Sequence, residues 1–220
     1  MTRLDPDLLR HGLDALAAAD PAIAAARSRI GDPALRRWEP GFATLLDIII
    51  GQQVSTAAAR AIKARLRALV VPLTPARLLE VPPETLRQVG LSRQKMLYAA
   101  DLAGAIAEGR LDLEALPALG DEAAIARLVA IRGIGRWTAE IYLLFALGRP
   151  DVWPADDLAL MVSLQQLRAL PERPKGRLAR SGAESWQPWR GVAAHFCWHL
   201  YHHTTGRIAV PVTPSIGESA

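Results

Sequence analysis

The sequence predicts an all-α fold. Apolar residues recur at intervals of three and four through most of its 220 residues, and this spacing places them on one face of a helix. Glycine and proline interrupt these stretches at short intervals, and no segment shows the sustained alternation that is typical of strands. The spacing predicts helices over 8–19, 21–30, 42–70, 75–79, 83–89, 93–108, 121–131, 136–147, 158–170 and 188–203.

Composition limits the class of protein. Half of the residues are apolar, which is enough for one core or for two small lobes. The formal net charge of +4 permits a polyanionic partner without requiring one. Cys197 is the single cysteine, so a disulfide framework, a four-thiolate iron–sulfur cluster and a cysteine-rich zinc site are excluded.

Targeting signals are not evident in the sequence. The first residues include two acids and no apolar stretch of the signal-peptide type, and the longest apolar runs are too short to span a bilayer. We therefore expect a cytoplasmic protein without a membrane partner. Residues 171–185 are expected to form a mobile surface connection, and residues 211–220 a frayed tail.

The most distinctive segment covers residues 128–139 and reads Leu-Val-Ala-Ile-Arg-Gly-Ile-Gly-Arg-Trp-Thr-Ala. One predicted helix ends near Ile131, a tight turn follows, and a second helix begins at once. Gly133 and Gly135 can adopt a positive φ, which suits such a turn. The N–H groups at the start of the second helix would face outward, where they and the helix dipole favour an anion such as a DNA phosphate.

Two further properties are expected of this hairpin. We expect phosphate contacts from Gly133, Gly135, Arg136 and Thr138. The carbonyls of Val129, Ile131 and Ile134 would point the other way, where they could hold a monovalent Na⁺ or K⁺; no other cofactor is expected. The alternative is an ordinary helical hairpin whose glycines only cap a helix.

A pair of carboxylates, Asp156 and Asp157, follows Gly135 by about twenty residues and precedes the helix predicted over 158–170. An aspartate at a helix N-terminus commonly caps it. We expect Asp156 to be the cap and Asp157 to face a cleft, kept ionised by the helix dipole. An ionised carboxylate can oppose the positive charge that develops on a sugar when a glycosidic bond breaks.

The combination of a Gly-Ile-Gly hairpin with a Pro-x-Asp-Asp segment resembles the helix-hairpin-helix, Gly/Pro…Asp superfamily of DNA glycosylases. Three more segments resemble its DNA-3-methyladenine glycosylase II family. They are Ile-Gly-Gln-Gln-Val-Ser at 50–55, Val-Gly-Leu-Ser-Arg-Gln-Lys at 89–95, and the Trp-Gln-Pro-Trp-Arg segment at 186–190 with its following helix. The resemblance covers roughly residues 40–203.

This resemblance implies a fold of two helical lobes with the active site in the cleft between them. One lobe would be residues 40–150, including the hairpin, and the other residues 1–39 with 151–210, within one glycosylase domain. It also implies a monomer that binds double-stranded DNA containing damaged bases, as expected of a bacterial nucleoid-associated repair enzyme.

The resemblance further implies the roles of site residues. Asp157 would be the catalytic carboxylate, and Gln53, with Gln52 as the second candidate, would wedge into the duplex. Trp137 and Trp198 would be walls of the base pocket. The other residues of the base pocket would be Ile141 and Leu158. Some members of the family carry aromatic residues at these two positions.

The function implied is hydrolytic excision of flipped alkylated purines, 3-methyladenine and 7-methylguanine, without strand nicking. Bifunctional members of the superfamily have a lysine where this chain has Trp137, which cannot form a Schiff base. Two alternatives stay open: a glycosylase for uracil or oxidised guanine, and a non-catalytic DNA-binding protein.

Five other residues near the C-terminus carry predictions. Trp186 is expected to pack in the protein rather than bind a ligand, as is Trp189. His195 and His199 lie one helical turn apart, but no third ligand is evident, so no metal is predicted there. The sequence leaves Arg190 open between a phosphate contact and an ion pair with an acid.

Overall fold

The computed structural model describes residues 3–207, and the predicted frayed tail at 211–220 lies outside them. Within 3–207 all regular secondary structure is helical, which confirms the predicted all-α class. None of these helices is long and apolar enough to cross a membrane. The chain divides into two compact units, one formed by 38–146 and the other by 3–37 with 147–207. They are called here the hairpin unit and the carboxylate unit.

The hairpin unit contains seven α-helices. They are α3 (Phe42–Gly51), α4 (Thr56–Leu69), α5 (Pro75–Leu79), α6 (Pro83–Val89), α7 (Arg93–Ala107), α8 (Asp121–Val129) and α9 (Arg136–Phe145). Helix α3 packs against α4, α7 and α9. Both α3 and α9 are buried along nearly their whole length, because their apolar residues cover most of the helix surface rather than one stripe.

The carboxylate unit contains five. They are α1 (Pro6–Ala19), α2 (Pro21–Ile30), α10 (Leu158–Leu167), α11 (Arg177–Ser181) and α12 (Arg190–Thr205). Helix α12 packs against α10, α1 and α2. It is therefore the central helix of the unit, which explains why its apolar residues show little amphipathic spacing.

A buried polar cluster around Asp20 ties α2 to distant parts of the carboxylate unit. Asp20 caps α2 by accepting N–H bonds from Ala22 and Ile23. Its second carboxylate oxygen accepts hydrogen bonds from Trp186 Nε1 and Arg168 Nη1, each at 2.8 Å. Trp186 is buried, as the sequence predicted.

The structure differs from the predicted secondary structure at two segments. The predicted helix over 42–70 is broken between α3 and α4, because residues 52–55 leave helical geometry and Ser55 caps α4. The segment 171–185 contains α11 and leads into a short 3₁₀ turn at Glu184–Trp186, and its predicted mobility stays a prediction. Ala179, Ala183 and Trp186 are buried, so this part of the chain packs against the rest of the carboxylate unit.

Candidate active site

The turn between α8 and α9, residues 130–135, has two glycines with different roles. Gly133 has a φ of 89°, and a Cβ there would overlap the ring of Tyr98. Gly135 is extended, with a φ of −86°, and the space around its Cα is open. The prediction of a positive φ is therefore correct for Gly133 and wrong for Gly135. Gly135 leaves an uncovered surface at the start of α9.

The N-terminus of α9 presents backbone donors. The first hydrogen bond of this helix runs from the Ala139 N–H to the Gly135 carbonyl at 3.0 Å, and the N–H groups before it have no partner within the helix. The Arg136 guanidinium binds Glu140 and Glu122. The side chain is therefore engaged within the protein, and the expected phosphate contact of Arg136 stays a prediction for its backbone N–H.

The side chain of Thr138, like that of Arg136, forms its hydrogen bond within the protein. It is buried, and its hydroxyl accepts a hydrogen bond from Gln52 Nε2 at 3.1 Å. The hydroxyl is thus used inside the protein, and the predicted phosphate contact of Thr138 stays a prediction for its backbone N–H. Thr138 lies in the first turn of α9, so its backbone N–H is one of the N–H groups at the start of that helix.

The two glutamines after α3 face different surroundings. Gln53 is exposed and has a φ of 55°, a left-handed conformation that costs energy for a residue with a side chain. Gln52 points into the hairpin unit and binds the Gly133 carbonyl as well as Thr138. Gln53 is thus the better placed wedge candidate, and the wedge role of either glutamine stays a prediction. Residues 52–55 are called the wedge loop below.

A groove of about 820 Å³ in the hairpin unit is lined by the wedge loop, the turn and the start of α7. Lys95 lines it and donates from Nζ to the Ile50 carbonyl at 2.5 Å, where a cation suits the end of α3. Burial and the nearby Lys63 lower the pKa of Lys95. Sequence reasoning assigned no role to Lys95 or Tyr98, although Lys95 lies in a segment that it had singled out.

Asp157 occupies the N-terminus of α10 in the carboxylate unit and is buried. Its Oδ1 accepts N–H bonds from Ala159 at 2.9 Å and from Leu160 at 3.2 Å. Asp156 is exposed and does not cap the helix. The predicted division is therefore reversed: Asp157 is the cap, because its extended backbone turns the carboxylate back onto the first N–H groups.

A third donor completes the surroundings of this oxygen. Trp198, on α12, donates from Nε1 to Asp157 Oδ1 at 3.1 Å, and its ring is 5% exposed. The structure gives Trp198 a hydrogen-bonding role that the sequence analysis did not assign. Leu158, the residue after Asp157, is 52% exposed and offers an apolar surface beside the carboxylate.

The two remaining pocket candidates lie in the hairpin unit. Trp137 is half-buried and lines the groove next to the turn. Ile141 lies one turn further along α9 and is completely buried. Ile141 therefore has no surface for a base, and its predicted pocket role is wrong.

The predicted ligands of a monovalent cation are main-chain oxygens at the turn. The Ile131 carbonyl accepts the Ile134 N–H at 3.1 Å, whereas those of Val129 and Ile134 accept no backbone hydrogen bond outside the helices of the described chain. These carbonyls fit the chemistry of a monovalent cation. Among residues 3–207 no cluster of His, Cys, Asp or Glu could hold a metal.

Three residues near α12 have roles within the protein. His199 Nε2 lies 3.0 Å from the Ile30 carbonyl, and burial, with a contribution from Arg36, lowers the pKa of His195 to about 3. Arg190 forms a two-pronged ion pair with Asp151, at 2.9 and 2.8 Å. That pair answers the question that the sequence left open for Arg190.

These features define a helix-hairpin-helix protein that also carries a capped, buried carboxylate. The family model described as HhH-GPD superfamily base excision DNA repair protein matches residues 46–188. The chain is 33% identical over 169 residues to DNA-3-methyladenine glycosylase 1 of Schizosaccharomyces pombe, a similarity that covers 74% of the chain and 73% of that relative. It therefore belongs to the HhH-GPD superfamily of base excision DNA repair proteins and, within it, to the DNA-3-methyladenine glycosylase family.

Two further comparisons show the extent of this similarity. The chain is 33% identical over 124 residues to YfjP of Bacillus subtilis, and the similarity covers 56% of the chain but 43% of YfjP. The solved structure of Schizosaccharomyces pombe 3-methyladenine DNA glycosylase, Mag1, in complex with abasic DNA, superposes with a TM-score of 0.79 at 28% identity. That superposition covers 88% of this chain and 96% of the Mag1 chain.

Proposed function

We propose that the protein is a monofunctional DNA glycosylase that hydrolyses the N-glycosidic bond of 3-methyladenine and 7-methylguanine in duplex DNA. The observation that carries this proposal is the environment of Asp157. Three N–H donors converge on Oδ1, and the carboxylate stands at the N-terminus of α10. Both features stabilise negative charge.

A fixed negative charge suits this reaction because the sugar becomes positive as the bond breaks. The C1′–N bond releases its electron pair to the base, and water then adds to C1′ with loss of one proton. Asp157 would oppose the sugar charge throughout, in surroundings that need no reorganisation. The apolar surface of Leu158 next to it would help to exclude competing water.

The choice of alkylated purines rests on the leaving group. A purine methylated at N3 of adenine or N7 of guanine is already positive, so it departs as a neutral base without being protonated. The paired carboxylates of glycosidases that protonate their leaving group are then unnecessary. Trp137, half-buried beside the turn, would offer an aromatic face to the cationic base.

Duplex DNA as the partner is supported by the hairpin and by similarity. Backbone N–H groups at the start of α9, next to the open position of Gly135, suit a phosphate oxygen. The similar Mag1 was solved in complex with abasic DNA. The exposed Gln53 would fill the space that the flipped nucleotide leaves.

Two chemical details follow from the proposal. Trp137 stands where lyase members have a lysine, so borohydride should trap no covalent protein–DNA adduct. A Na⁺ or K⁺ held by the turn carbonyls would brace the hairpin without taking part in hydrolysis. The monomeric state, the cytoplasmic location and the entry of the base between two lobes remain predictions.

The experiment that tests the proposal is a side-by-side measurement of single-turnover base release from matched duplexes. The duplexes carry 3-methyladenine, 7-methylguanine, uracil or 8-oxoguanine. We expect the two methylated purines to be released fastest, with uracil and 8-oxoguanine far slower. Faster release of uracil or 8-oxoguanine than of 3-methyladenine would overturn the substrate assignment, and no release from any duplex would overturn the enzymatic one.

A further inference from the structure

Gln52 joins the wedge loop to the turn of the hairpin. Its backbone N–H closes the end of α3 on the Ile49 carbonyl at 3.2 Å. Its side-chain amide then crosses to the other element and donates to the Gly133 carbonyl and to Thr138 Oγ1, both at 3.1 Å. The amide group thus gives both of its N–H bonds to the hairpin.

The two acceptors of Gln52 are held rigidly. The ring of Tyr98 fills the space beside Gly133 that a Cβ would need, and Thr138 is 2% exposed. Neither acceptor can follow a movement of the wedge loop without disturbing packed neighbours. The amide of Gln52 therefore ties the position of the loop to that of the hairpin.

Gln53, the next residue, is exposed and is held at a φ of 55°. A strained conformation persists only where the surrounding structure enforces it. On its N-terminal side that enforcement comes from Gln52, one peptide bond away, and from the Lys95 contact to the Ile50 carbonyl.

We propose that Gln52 is a positioning residue for nucleotide flipping: its bonds to Gly133 and Thr138 fix where Gln53 enters the duplex relative to the phosphate bound by the hairpin. This inference rests on the proposed function, since it assumes that the hairpin binds phosphate and that Gln53 is the wedge. Gln52 itself touches no DNA. It acts by keeping the distance between an anchored phosphate and the wedge constant.

The first test compares two duplexes. In one, 3-methyladenine is opposite thymine; in the other it is opposite an abasic site, where leaving the stack costs less. Gln52→Ala should lower single-turnover release from the paired duplex about tenfold, which corresponds to the loss of about 1.4 kcal/mol of positioning hydrogen bonds. Release opposite the abasic site should stay close to that of the unaltered chain. Equal loss on both duplexes would mean a merely structural role and would overturn the inference.

The second test is a double-mutant cycle with the wedge. If Gln52 acts only through Gln53, then Gln52→Ala should cost little more in a chain that already carries Gln53→Ala. Fully additive losses would contradict that. Thr138→Val, which removes one acceptor, should show a partial defect of the same kind, whereas Thr138→Ser keeps the hydroxyl and should not.

Failure of this inference is distinguishable from failure of the proposed function. Flipping is also measured without base release, by the fluorescence of 2-aminopurine placed at the target position. An unaltered chain that neither releases a base nor raises this fluorescence would contradict the proposed function. An active chain in which Gln52→Ala leaves both fluorescence and paired-duplex release unchanged would contradict the role of Gln52 alone.

Discussion

The indole nitrogen of Trp198 lies 3.1 Å from Oδ1 of Asp157, on the same oxygen that caps α10. One carboxylate oxygen therefore serves helix formation and is held in place by α12. The position of the Asp157 carboxylate therefore depends on the packing of α10 against α12.

Replacing Asp157 by Asn tests the charge alone. An Asn amide can present its oxygen to the Ala159 and Leu160 N–H groups, and Asn caps helices about as well as Asp. We expect base release to fall by about 10²–10³ or more with DNA affinity and thermal stability nearly unchanged. Single-turnover rates, binding titrations and unfolding curves measure the three quantities.

The matched control is Asp156→Asn. Asp156 is exposed and caps nothing, so its loss of charge should leave release close to normal. Near-normal turnover by the Asp157 variant would show that the catalytic assignment is wrong.

Trp198→Phe removes an N–H donor and keeps an aromatic ring. We expect base release to fall about tenfold, because Asp157 loses one of its hydrogen bonds inside the protein, while the dissociation constant for DNA stays the same. Trp153→Phe is the control, since Trp153 donates from its indole to the Ala179 carbonyl, away from Asp157. If both variants lost activity in proportion to their loss of stability, Trp198 would have no specific role toward Asp157.

The two glycines of the turn should respond differently to alanine. Gly133→Ala meets both a φ of 89° and the Tyr98 ring, so the free energy of unfolding should drop by more than about 1 kcal/mol. Gly135→Ala meets open space and should fold normally. It should nevertheless weaken binding to damaged and undamaged duplexes alike, because a phosphate contact carries no sequence information.

Denaturant unfolding and binding titrations on both variants check this prediction. The expectation for Gly135 fails if its variant loses affinity for one lesion only while undamaged DNA is bound as before.

The Asp20 cluster predicts a dependence of stability on pH. Burial alone would raise the pKa of Asp20, but the Trp186 indole, Arg168 and two backbone N–H groups together hold it below its usual value. Below an unfolded pKa of about 3.9 the unfolded state binds more protons at this site, so stability is lost as the pH falls.

Unfolding free energies measured between about pH 2 and pH 6 test this dependence. Asp20→Asn should flatten the acid limb of the curve, and the exposed Asp156→Asn should not. Identical pH dependence in the Asp20→Asn variant and the unaltered chain would contradict the assignment.

The sequence predicted the all-α class because local apolar spacing survives in almost every helix. It missed the break between α3 and α4, because residues 52–55 continue the helical spacing although the chain turns there. It also assigned the cap to Asp156, because adjacent identical residues differ only in the backbone angles that point them. The hairpin was predictable, since glycines at short spacing leave few other conformations.

Contacts between distant residues were beyond prediction from local pattern. Trp198 meets Asp157 across 41 residues, and Gln52 meets the hairpin across 81 and 86. Each depends on how helices pack against one another. The sequence indicated which residues carry chemistry, and the packing determined which of them act and which support the others.

Asp157 caps α10 and is also the proposed catalytic carboxylate, and these two roles place different demands on the residue at this position. Ser, Thr and Asn start helices about as well as Asp does, so the folding of α10 gives no reason to prefer an acid there. Asn has nearly the same shape as Asp, and the property that separates these two is the charge. Under the proposed function, a lineage that lost the need for base excision could exchange Asp157 for Asn without unfolding, whereas one that repairs DNA could not.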